Sequence, residues 1–315
     1  MGRLHAKAIA GSEVASLAAV VDPDPAARAV ADTLGAGFHS SIEALLGSDD
    51  VDGFVVCLPD REHVETTCLL LDAGHAVLLE KPIADTLEGA RRIAAAARRG
   101  RLLVGHILRF DPRYAQAAAV VRSGALGDVI HMSSGRLGGR DIGLRLGGSS
   151  SVLFYLGVHD VDLLQWISGR RIVRVSSVAG ARRDVIVTNA ELEDGIVAQL
   201  YAGWTLRPDT PSPINARTLV ACAEGALEID TRDHGLRVHS SAGTQLPDAL
   251  HWPEANGRIT GDLADELRHF AVSIMSEEPF LMNVEEAVST AAVNDAILRS
   301  VESGRPEPVA VAEAA

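Results

Sequence analysis

The most constraining feature of the sequence is a short apolar run that ends abruptly in charge. Residues 75–82 read His-Ala-Val-Leu-Leu-Glu-Lys-Pro, and Ala73-Gly74 precede them. A short run without alternation is typical of a parallel-sheet strand covered on both faces. Ligands of open α/β sheets bind outside the carboxyl ends of the strands, so Glu80 and Lys81 would lie where chemistry occurs. The alternative is a surface ion pair that merely closes a strand.

Strands and helices alternate through the first third of the chain. Predicted strands cover residues 15–21, 51–58, 75–80 and 102–106, and predicted helices cover 1–11, 25–34, 41–46, 62–72 and 85–99. Asp85-Thr-Leu-Glu88 resembles a capping box with Asp85 as the N-cap. This alternation predicts a parallel sheet with right-handed crossovers, which is half of a dinucleotide-binding fold.

The rest of the chain has a different pattern. Predicted helices cover 112–123, 158–167, 263–276 and 284–303, and predicted strands cover 129–134, 172–178, 184–188, 196–204, 218–223, 226–230 and 236–239. Residues 305–315 are predicted to be a tail with at most a short strand at 309–311. Gly, Pro and Asp separate the strands, as an antiparallel sheet requires. Residues 135–151 lack periodicity and are predicted to be a loop near the active site. Its Arg136, Arg140 and Arg145 would bind an anionic substrate group or simply be solvated.

Composition and charge exclude several classes of protein. A chain of 315 residues is long enough for two domains. The net charge of −13 argues against a nucleic-acid partner. No apolar run is long enough to span a bilayer, and no signal pattern opens the chain, which predicts a cytoplasmic protein. Three scattered cysteines without a C-x-x-C motif indicate neither disulfides nor zinc.

The predicted cofactor site depends on two positions. Asp22 follows a strand about twenty residues after Gly2, where an acid would bind the ribose hydroxyls of NAD and repel the 2′-phosphate of NADP. An Asp at such a turn is alternatively only a helix cap. Gly2, followed by Arg3, would be the last glycine of G-x-G-x-x-G. The first strand and two glycines would then lie upstream, so the sequence is expected to be truncated.

Several motifs together carry a family resemblance. They are Glu80-Lys81-Pro82, Gly157-Val-His159-Asp160-Val-Asp162, Pro59-Asp-Arg-Glu-His63, Arg109-Phe-Asp-Pro112, Gly124-Ala-Leu-Gly127 and Trp204. With these motifs the chain resembles, nearly end to end, the glucose-fructose oxidoreductase and inositol dehydrogenase (Gfo/Idh/MocA) family.

The resemblance implies an α/β fold of two domains. Residues 1–110 would form a Rossmann-type domain lacking its first strand, and residues 111–315 an α+β domain with a large, mostly antiparallel sheet for substrate binding and oligomerisation. It also implies NAD(P)-dependent oxidation of a secondary hydroxyl on a sugar, sugar derivative or cyclitol. The expected assembly is a homodimer or homotetramer.

The resemblance also assigns roles to residues. Lys81 would hydrogen-bond the reacting hydroxyl, and His159 would be the acid/base, a role that suits a group titrating near neutral pH. The implied cofactor-binding residues are Gly2, Arg3, Asp22, Leu58, Pro59, His63, Glu80, Lys81 and Arg109. A metal held by His159, Asp160 and Asp162 is a minor alternative, since residues 159 and 160 point apart on a helix. We therefore expect no metal.

One position departs from the family pattern. Tyr155 lies four residues before His159, where the family commonly has an Asp that supports the histidine. Tyrosine would donate a hydrogen bond or contact substrate but cannot be the anionic partner of an imidazolium, which predicts altered activity or substrate. The alternatives are a non-catalytic regulatory protein on the same fold, a reductase of a non-sugar carbonyl or imine, and a His159 that only begins a helix.

Overall fold

The computed structural model describes residues 1–46, 51–146, 148, 150–232, 234–241 and 243–310. Its first part contains five parallel strands: β1 (Ala19–Val21), β2 (Gly37–His39), β3 (Gly53–Val56), β4 (Ala76–Glu80) and β5 (Arg101–Gly105). The helices are α1 (Gly2–Ala10), α2 (Arg28–Leu34), α3 (His63–Asp72) and α4 (Leu87–Ala96). β1 pairs with β2, and β3, β4 and β5 form a separate sheet in that order. The predicted parallel α/β arrangement is confirmed.

Strand β4 is the centre of this part. Val77, Leu78 and Leu79 are completely buried. β4 pairs in parallel with β3 on one side and β5 on the other. Burial on both faces explains why the run is uniformly apolar. The interpretation of residues 75–80 as a doubly covered strand is therefore correct.

Some local predictions in the first part were wrong. Residues 41–46 form turns instead of a helix, and β2 was not predicted. The N-cap of α4 is Thr86, whose hydroxyl accepts from Gly89 N, and not Asp85. Both residue types are good caps, so only the backbone geometry decided which side chain reaches an unpaired N–H. The helix also ends at Ala96, before the predicted Arg99.

The second part is built on a seven-stranded sheet. Its order is β11-β10-β6-β9-β8-β7-β16, and only the β6/β9 pair is parallel. These strands are β6 (Val129–Gly139), β7 (Ile172–Ala179), β8 (Val185–Leu192), β9 (Val197–Leu206), β10 (Ile214–Cys222), β11 (Gly225–Asp230) and β16 (Glu307–Pro308). Two hairpins consist of β12 (Val238–Ser240) with β13 (Gly243–Gln245), and β14 (Glu254–Ala255) with β15 (Arg258–Ile259). The sheet is mostly antiparallel, as predicted.

Five helices accompany this sheet: α5 (Pro112–Arg122), α6 (Arg140–Leu146), α7 (Val158–Ser168), α8 (Asp262–Ser276) and α9 (Val284–Ser303). α9 packs on β7 and also on α4 and β5 of the first part. α8 packs on α1 and on the 3₁₀ turn Ile107–Arg109 that follows β5. The last two helices thus return to the first part. No described helix has the length and hydropathy needed to cross a membrane.

The predicted loop at 135–151 was the largest error. β6 continues to Gly139, α6 follows, and a π-helical turn (Leu153–Gly157) leads into α7. A Cβ on Gly135 would lie 2.1 Å from the Tyr201 ring, so glycine lets this ring lie across the strand backbone and any other residue would displace the ring. Such glycines interrupt the apolar alternation that identifies a strand in sequence.

Candidate active site

The site lies where the parallel strands end. His63, only 1% exposed, connects two of these ends. Its Nδ1 is 2.8 Å from the carbonyl oxygen of Pro82, and its Nε2 is 2.9 Å from that of Leu58. Both ring nitrogens therefore contact the backbone. His63 positions the segments after β3 and β4, and this replaces the predicted direct contact with a cofactor.

Glu80 ends β4 and is held from two directions. His5 Nε2 donates to its Oε1 at 2.8 Å, and Lys81 N donates to its Oε2 at 3.2 Å. Burial favours the neutral acid, but the His5 hydrogen bond and nearby charges, including Lys81, outweigh it and lower the pKa of Glu80. Glu80 therefore carries a negative charge beside Lys81. The predicted cofactor contact of Glu80 stays a prediction.

Lys81 points toward the π-helical turn before α7. Its Nζ donates to the carbonyl oxygen of Tyr155 at 3.1 Å and lies 4.6 Å from the centroid of the Tyr155 ring. The Tyr155 ring in turn packs on Trp204, with centroids 5.1 Å apart. Burial lowers the pKa of Lys81, and the charge of Glu80 opposes this change. Tyr155 thus contacts the lysine through both its backbone and its ring.

His159, unlike Lys81, is not held by Tyr155. Its Nδ1 is buried without a hydrogen-bond partner among the described residues. Burial, followed by the charges of Lys81 and Arg136, puts the pKa of His159 well below its ordinary value. The imidazole is therefore neutral at neutral pH and can accept a proton.

Asp160 and Asp162, which follow His159, are already hydrogen-bonded to other side chains of the protein. Asp160 accepts from Ser134 Oγ at 2.7 Å and pairs with Arg136 at 3.3 Å. Asp162 receives two hydrogen bonds from Arg109, at 3.0 and 2.7 Å. These bonds do not support the minor alternative of a metal at His159, Asp160 and Asp162.

Two predicted arginine roles change for the same reason. Arg136 is 3% exposed and paired with Asp160, so it is neither in a loop nor available to an anionic substrate. Arg109 is also 3% exposed, and its Nη1 donates to Glu286 at 3.1 Å while its other two nitrogens bind Asp162. All three guanidinium nitrogens of Arg109 are engaged inside the protein. We therefore withdraw Arg109 as a cofactor ligand.

Sequence reasoning missed two histidines near the site. His106 follows β5, is 2% exposed and lies 3.6 Å from Asp162 Oδ2. Its place at a strand end was a usable signal. His251 Nδ1 lies 2.8 Å from Asp262 Oδ2, and both His106 and His251 contribute to the low pKa of His159. No local motif marks His251, because its position comes from packing of distant segments.

Among the described residues, two groups of side chains have the spacing of metal ligands: His234, Asp248 and His251, and Asp111, His251 and Asp262. Asp248 accepts three backbone N–H bonds. Asp111 binds Arg113 through both oxygens. Because these carboxylates are satisfied within the protein, we assign no metal to either group.

The residues at the strand ends fit a dinucleotide. Asp22 Oδ1 accepts from Asp24 N at 2.8 Å, whereas Asp24 caps the turn that starts at Pro25, so Asp22 is not the helix cap. One Asp22 oxygen remains for ribose hydroxyls. Helix α1 begins at Gly2 and Arg3 without a side-chain cap, which leaves backbone N–H groups for a phosphate. Gly2 lies against the end of β3, where its Cβ would be 3.7 Å from Cys57 Cβ.

Leu58 and Pro59 lie just beyond β3, after Cys57, at the same edge of the sheet as Lys81. Their contact with a cofactor stays a prediction, as do those of Gly2, Arg3 and Asp22. A parallel sheet with these groups at its carboxyl edge, together with a lysine and a neutral histidine, defines the class of nicotinamide-dependent dehydrogenases.

Comparison with known families identifies the group within that class. Residues 1–106 match the family described as oxidoreductase family, NAD-binding Rossmann fold (GFO/IDH/MocA), and residues 114–228 match the GFO/IDH/MocA C-terminal domain. The chain belongs to the Gfo/Idh/MocA family. It is an NAD(P)-dependent dehydrogenase acting on CH–OH groups, and its first part matches the family's NAD-binding Rossmann domain.

Similar proteins include characterised and solved relatives. The chain is 29% identical to inositol 2-dehydrogenase 2 of Saccharopolyspora erythraea, over 97% of this chain and 90% of that protein. It is 25% identical to inositol 2-dehydrogenase of Rhizobium meliloti, covering 98% and 96%. The fold matches scyllo-inositol dehydrogenase of Lactobacillus casei with bound NAD(H) and scyllo-inositol (TM-score 0.82, 20% identity, 98% and 96% covered). It also matches GenD2 from gentamicin A biosynthesis in complex with NAD, with a TM-score of 0.87 and 23% identity, covering 99% of this chain and 94% of that chain.

Proposed function

We propose that the chain oxidises a secondary hydroxyl of a cyclitol or a related sugar derivative with NAD. The observation that carries the proposal is that Lys81, half-buried at the carboxyl edge of the sheet, lies within electrostatic reach of the neutral imidazole of His159 on α7. The names of the relatives support the cyclitol class, since two curated relatives are inositol 2-dehydrogenases.

In this proposal the two side chains divide the chemistry. Bound NAD supplies the hydride acceptor. His159 takes the hydroxyl proton, which its neutral imidazole is able to accept. Lys81 donates a hydrogen bond to the oxygen and stabilises the negative charge that develops there. Partial burial of Lys81 reduces its contact with water and so strengthens that interaction.

We also propose that NAD is preferred over NADP. The free oxygen of Asp22 is suited to ribose hydroxyls and would repel a 2′-phosphate. Cofactor binding measured by calorimetry tests this, and tighter binding of NADP than of NAD would contradict it.

The proposed activity is tested with the Lys81→Ala variant. Wild-type protein and variant are assayed by NADH formation on inositols, sugars and sugar derivatives. We expect turnover to collapse in Lys81→Ala while the fold and NADH binding survive. The matched control is Lys7→Ala, since Lys7 is the only other lysine and is exposed beside Glu254. Equal turnover in Lys81→Ala and wild type would remove Lys81 from the mechanism.

One observation favours a second candidate, a non-catalytic protein on the same fold. Tyr155 replaces the expected Asp, and His159 Nδ1 has no partner among the described residues. This candidate is supported if wild type binds NADH but oxidises nothing in the panel. NADH consumption with ketones or imines would instead support the reductase alternative.

We infer further that the chain associates with copies of itself. Helices α7 and α9 pack on one face of the seven-stranded sheet, and Val178 (69% exposed) and Val197 (49% exposed) lie on its strands with their side chains uncovered. Exposed apolar side chains on a sheet are a common basis for association. Sedimentation should show a dimer or tetramer that Val178→Asp with Val197→Asp dissociates. A wild-type monomer would refute this inference. The cytoplasmic location stays a prediction.

A further inference from the structure

The turn that carries His251 is held rigidly by one carboxylate. Asp248 accepts hydrogen bonds from the backbone N–H groups of Leu250 (3.1 Å), His251 (2.9 Å) and Trp252 (2.8 Å). Three such bonds fix the backbone direction on both sides of the histidine. The imidazole therefore projects from an ordered segment.

The same turn is joined to the start of α8. Asp262 N donates to Leu250 O at 2.8 Å, and Leu263 N donates to His251 O at 2.9 Å. Gly261 makes this junction possible: its φ is +79°, and a Cβ there would lie 2.0 Å from Leu250 O. Any other residue would push the turn away from the helix. His251 and Asp262 are thus brought together by backbone contacts.

The side chains form a dyad with a defined tautomer. His251 Nδ1 lies 2.8 Å from Asp262 Oδ2, and Asp262 is 1% exposed. With the carboxylate as acceptor, Nδ1 carries the proton and Nε2 presents a lone pair. Nδ1 is the His251 ring nitrogen with a hydrogen bond among the described residues, and the side chain is 12% exposed, so Nε2 is accessible to a ligand. An imidazole held in this way is ready to accept a hydrogen bond.

The dyad borders the active site. α8 packs on the turn Ile107–Arg109, which follows the carboxyl end of β5, next to the end of β4 where Lys81 lies. Asp111, two residues after that turn, has a carboxylate oxygen within 4.8 Å of the ligand atoms of His251 and Asp262, and His251 is among the groups that lower the pKa of His159. His251 and His159 thus come from different segments and approach the same region.

We propose that His251, oriented by Asp262, accepts a hydrogen bond from a second hydroxyl of the substrate while Lys81 and His159 hold the reacting one. This inference rests on the proposed function, and it deepens it by making His251 a specificity-determining residue. A cyclitol or sugar offers several hydroxyl donors around a rigid ring. A lone pair fixed at one point selects a ring with a hydroxyl there, because the analogue lacking that hydroxyl forfeits the hydrogen bond.

Steady-state kinetics of the full chain with saturating NAD test this. The probes are myo-inositol, scyllo-inositol and their monodeoxy analogues. We expect His251→Asn to raise KM by about tenfold or more while kcat changes by less than about threefold, as for loss of a ground-state contact. For the one deoxy analogue that lacks the contacted hydroxyl, wild type and variant should have equal kcat/KM.

Two further variants control for indirect effects. Asp262→Asn keeps the His251 ring but provides an amide that can donate to Nδ1, which moves the proton to Nε2, so the KM loss should recur. His239→Asn, on the exposed hairpin β12–β13, should match wild type. NADH binding by calorimetry checks that each variant is folded.

The outcomes separate a failure of the proposed His251 role from a failure of the proposed function. If wild type oxidises an inositol and His251→Asn leaves KM unchanged, or loses equally on every deoxy analogue, the inference fails and the proposed function stands. If wild type binds NADH but neither oxidises nor binds any polyol, both fail together.

Discussion

The environment of Lys81 shows how one residue, Tyr155, changes the contacts of an active-site lysine. Tyr155 stands where an Asp was expected, and it contacts Lys81 through its carbonyl oxygen and its ring. His159 Nδ1 has no partner among the residues that the structure describes. A ring face favours the charged ammonium by about 0.5–2 kcal/mol. The aromatic residue therefore offsets part of the burial that lowers the pKa of Lys81.

Replacing Tyr155 with Leu should lower the pKa of Lys81, and replacing it with Phe should not. Both variants keep the backbone carbonyl, but only Phe keeps a ring over Lys81 Nζ. Without the ring the pKa of Lys81 falls further, so the alkaline loss of activity in Tyr155→Leu should move to lower pH. The pH profile of kcat/KM is the measurement. Identical alkaline limbs in Leu and Phe variants would contradict a cation–π role.

His159 makes a prediction in the opposite pH range. Oxidation needs the neutral imidazole, and the pKa of His159 lies well below its ordinary value because of burial and nearby positive charges. As pH falls, protonation and the accompanying loss of activity should therefore begin below about 6.5, the ordinary value. A kcat/KM profile for oxidation in wild type measures this. An acidic limb centred at or above the ordinary value would show that His159 is not the titrating base.

At the scale of elements, the start of α4 distinguishes between two neighbouring residues, Asp85 and Thr86, as the N-cap of the helix. Thr86 accepts from Gly89 N at 3.1 Å, whereas Asp85 does not cap the helix. Thr86→Ala should reduce the free energy of unfolding by about 1 kcal/mol. Asp85→Ala is the matched control and should have a clearly smaller effect. Urea unfolding of both variants provides the measurement, and a larger loss for Asp85→Ala would show that the predicted capping box was right after all.

At the scale of the whole molecule, one buried ion pair joins segments that are distant in sequence. Arg109 follows the first sheet, Asp162 lies on α7 and Glu286 lies in the first turn of α9. Asp162→Asn leaves a buried guanidinium partly unpaired, so the expected loss is about 3–5 kcal/mol in the free energy of unfolding.

The double variant Arg109→Met with Asp162→Leu tests whether the loss in stability comes from a buried charge that is left unpaired. Removing both charges should recover most of that loss, because a well-packed apolar pair costs no desolvation. Chemical denaturation of the single and double variants measures the coupling. An Asp162→Asn variant as stable as wild type would refute a structural role for the pair. Salt should change little, since both side chains are nearly inaccessible to solvent.

The sequence alone determined that the first part has a parallel sheet and the second a mostly antiparallel one, and it identified the central strand. A run such as residues 76–80 has only one way to satisfy its apolar side chains, which is burial on both faces, and Glu80 and Lys81 then necessarily lie at the strand end. Helix bounds at α7 and α9 also followed from periodicity and from glycines beyond their ends. These are local properties, and local sequence is sufficient for them.

Only the tertiary structure decided which charged side chains are available for chemistry. Arg109, Arg136 and His63 looked like ligands in sequence, but packing gave each of them partners inside the protein. His251 had no motif and reached the site through Asp248, Gly261 and Asp262. The availability of a polar group depends on which distant residues satisfy it, and sequence spacing does not report those contacts.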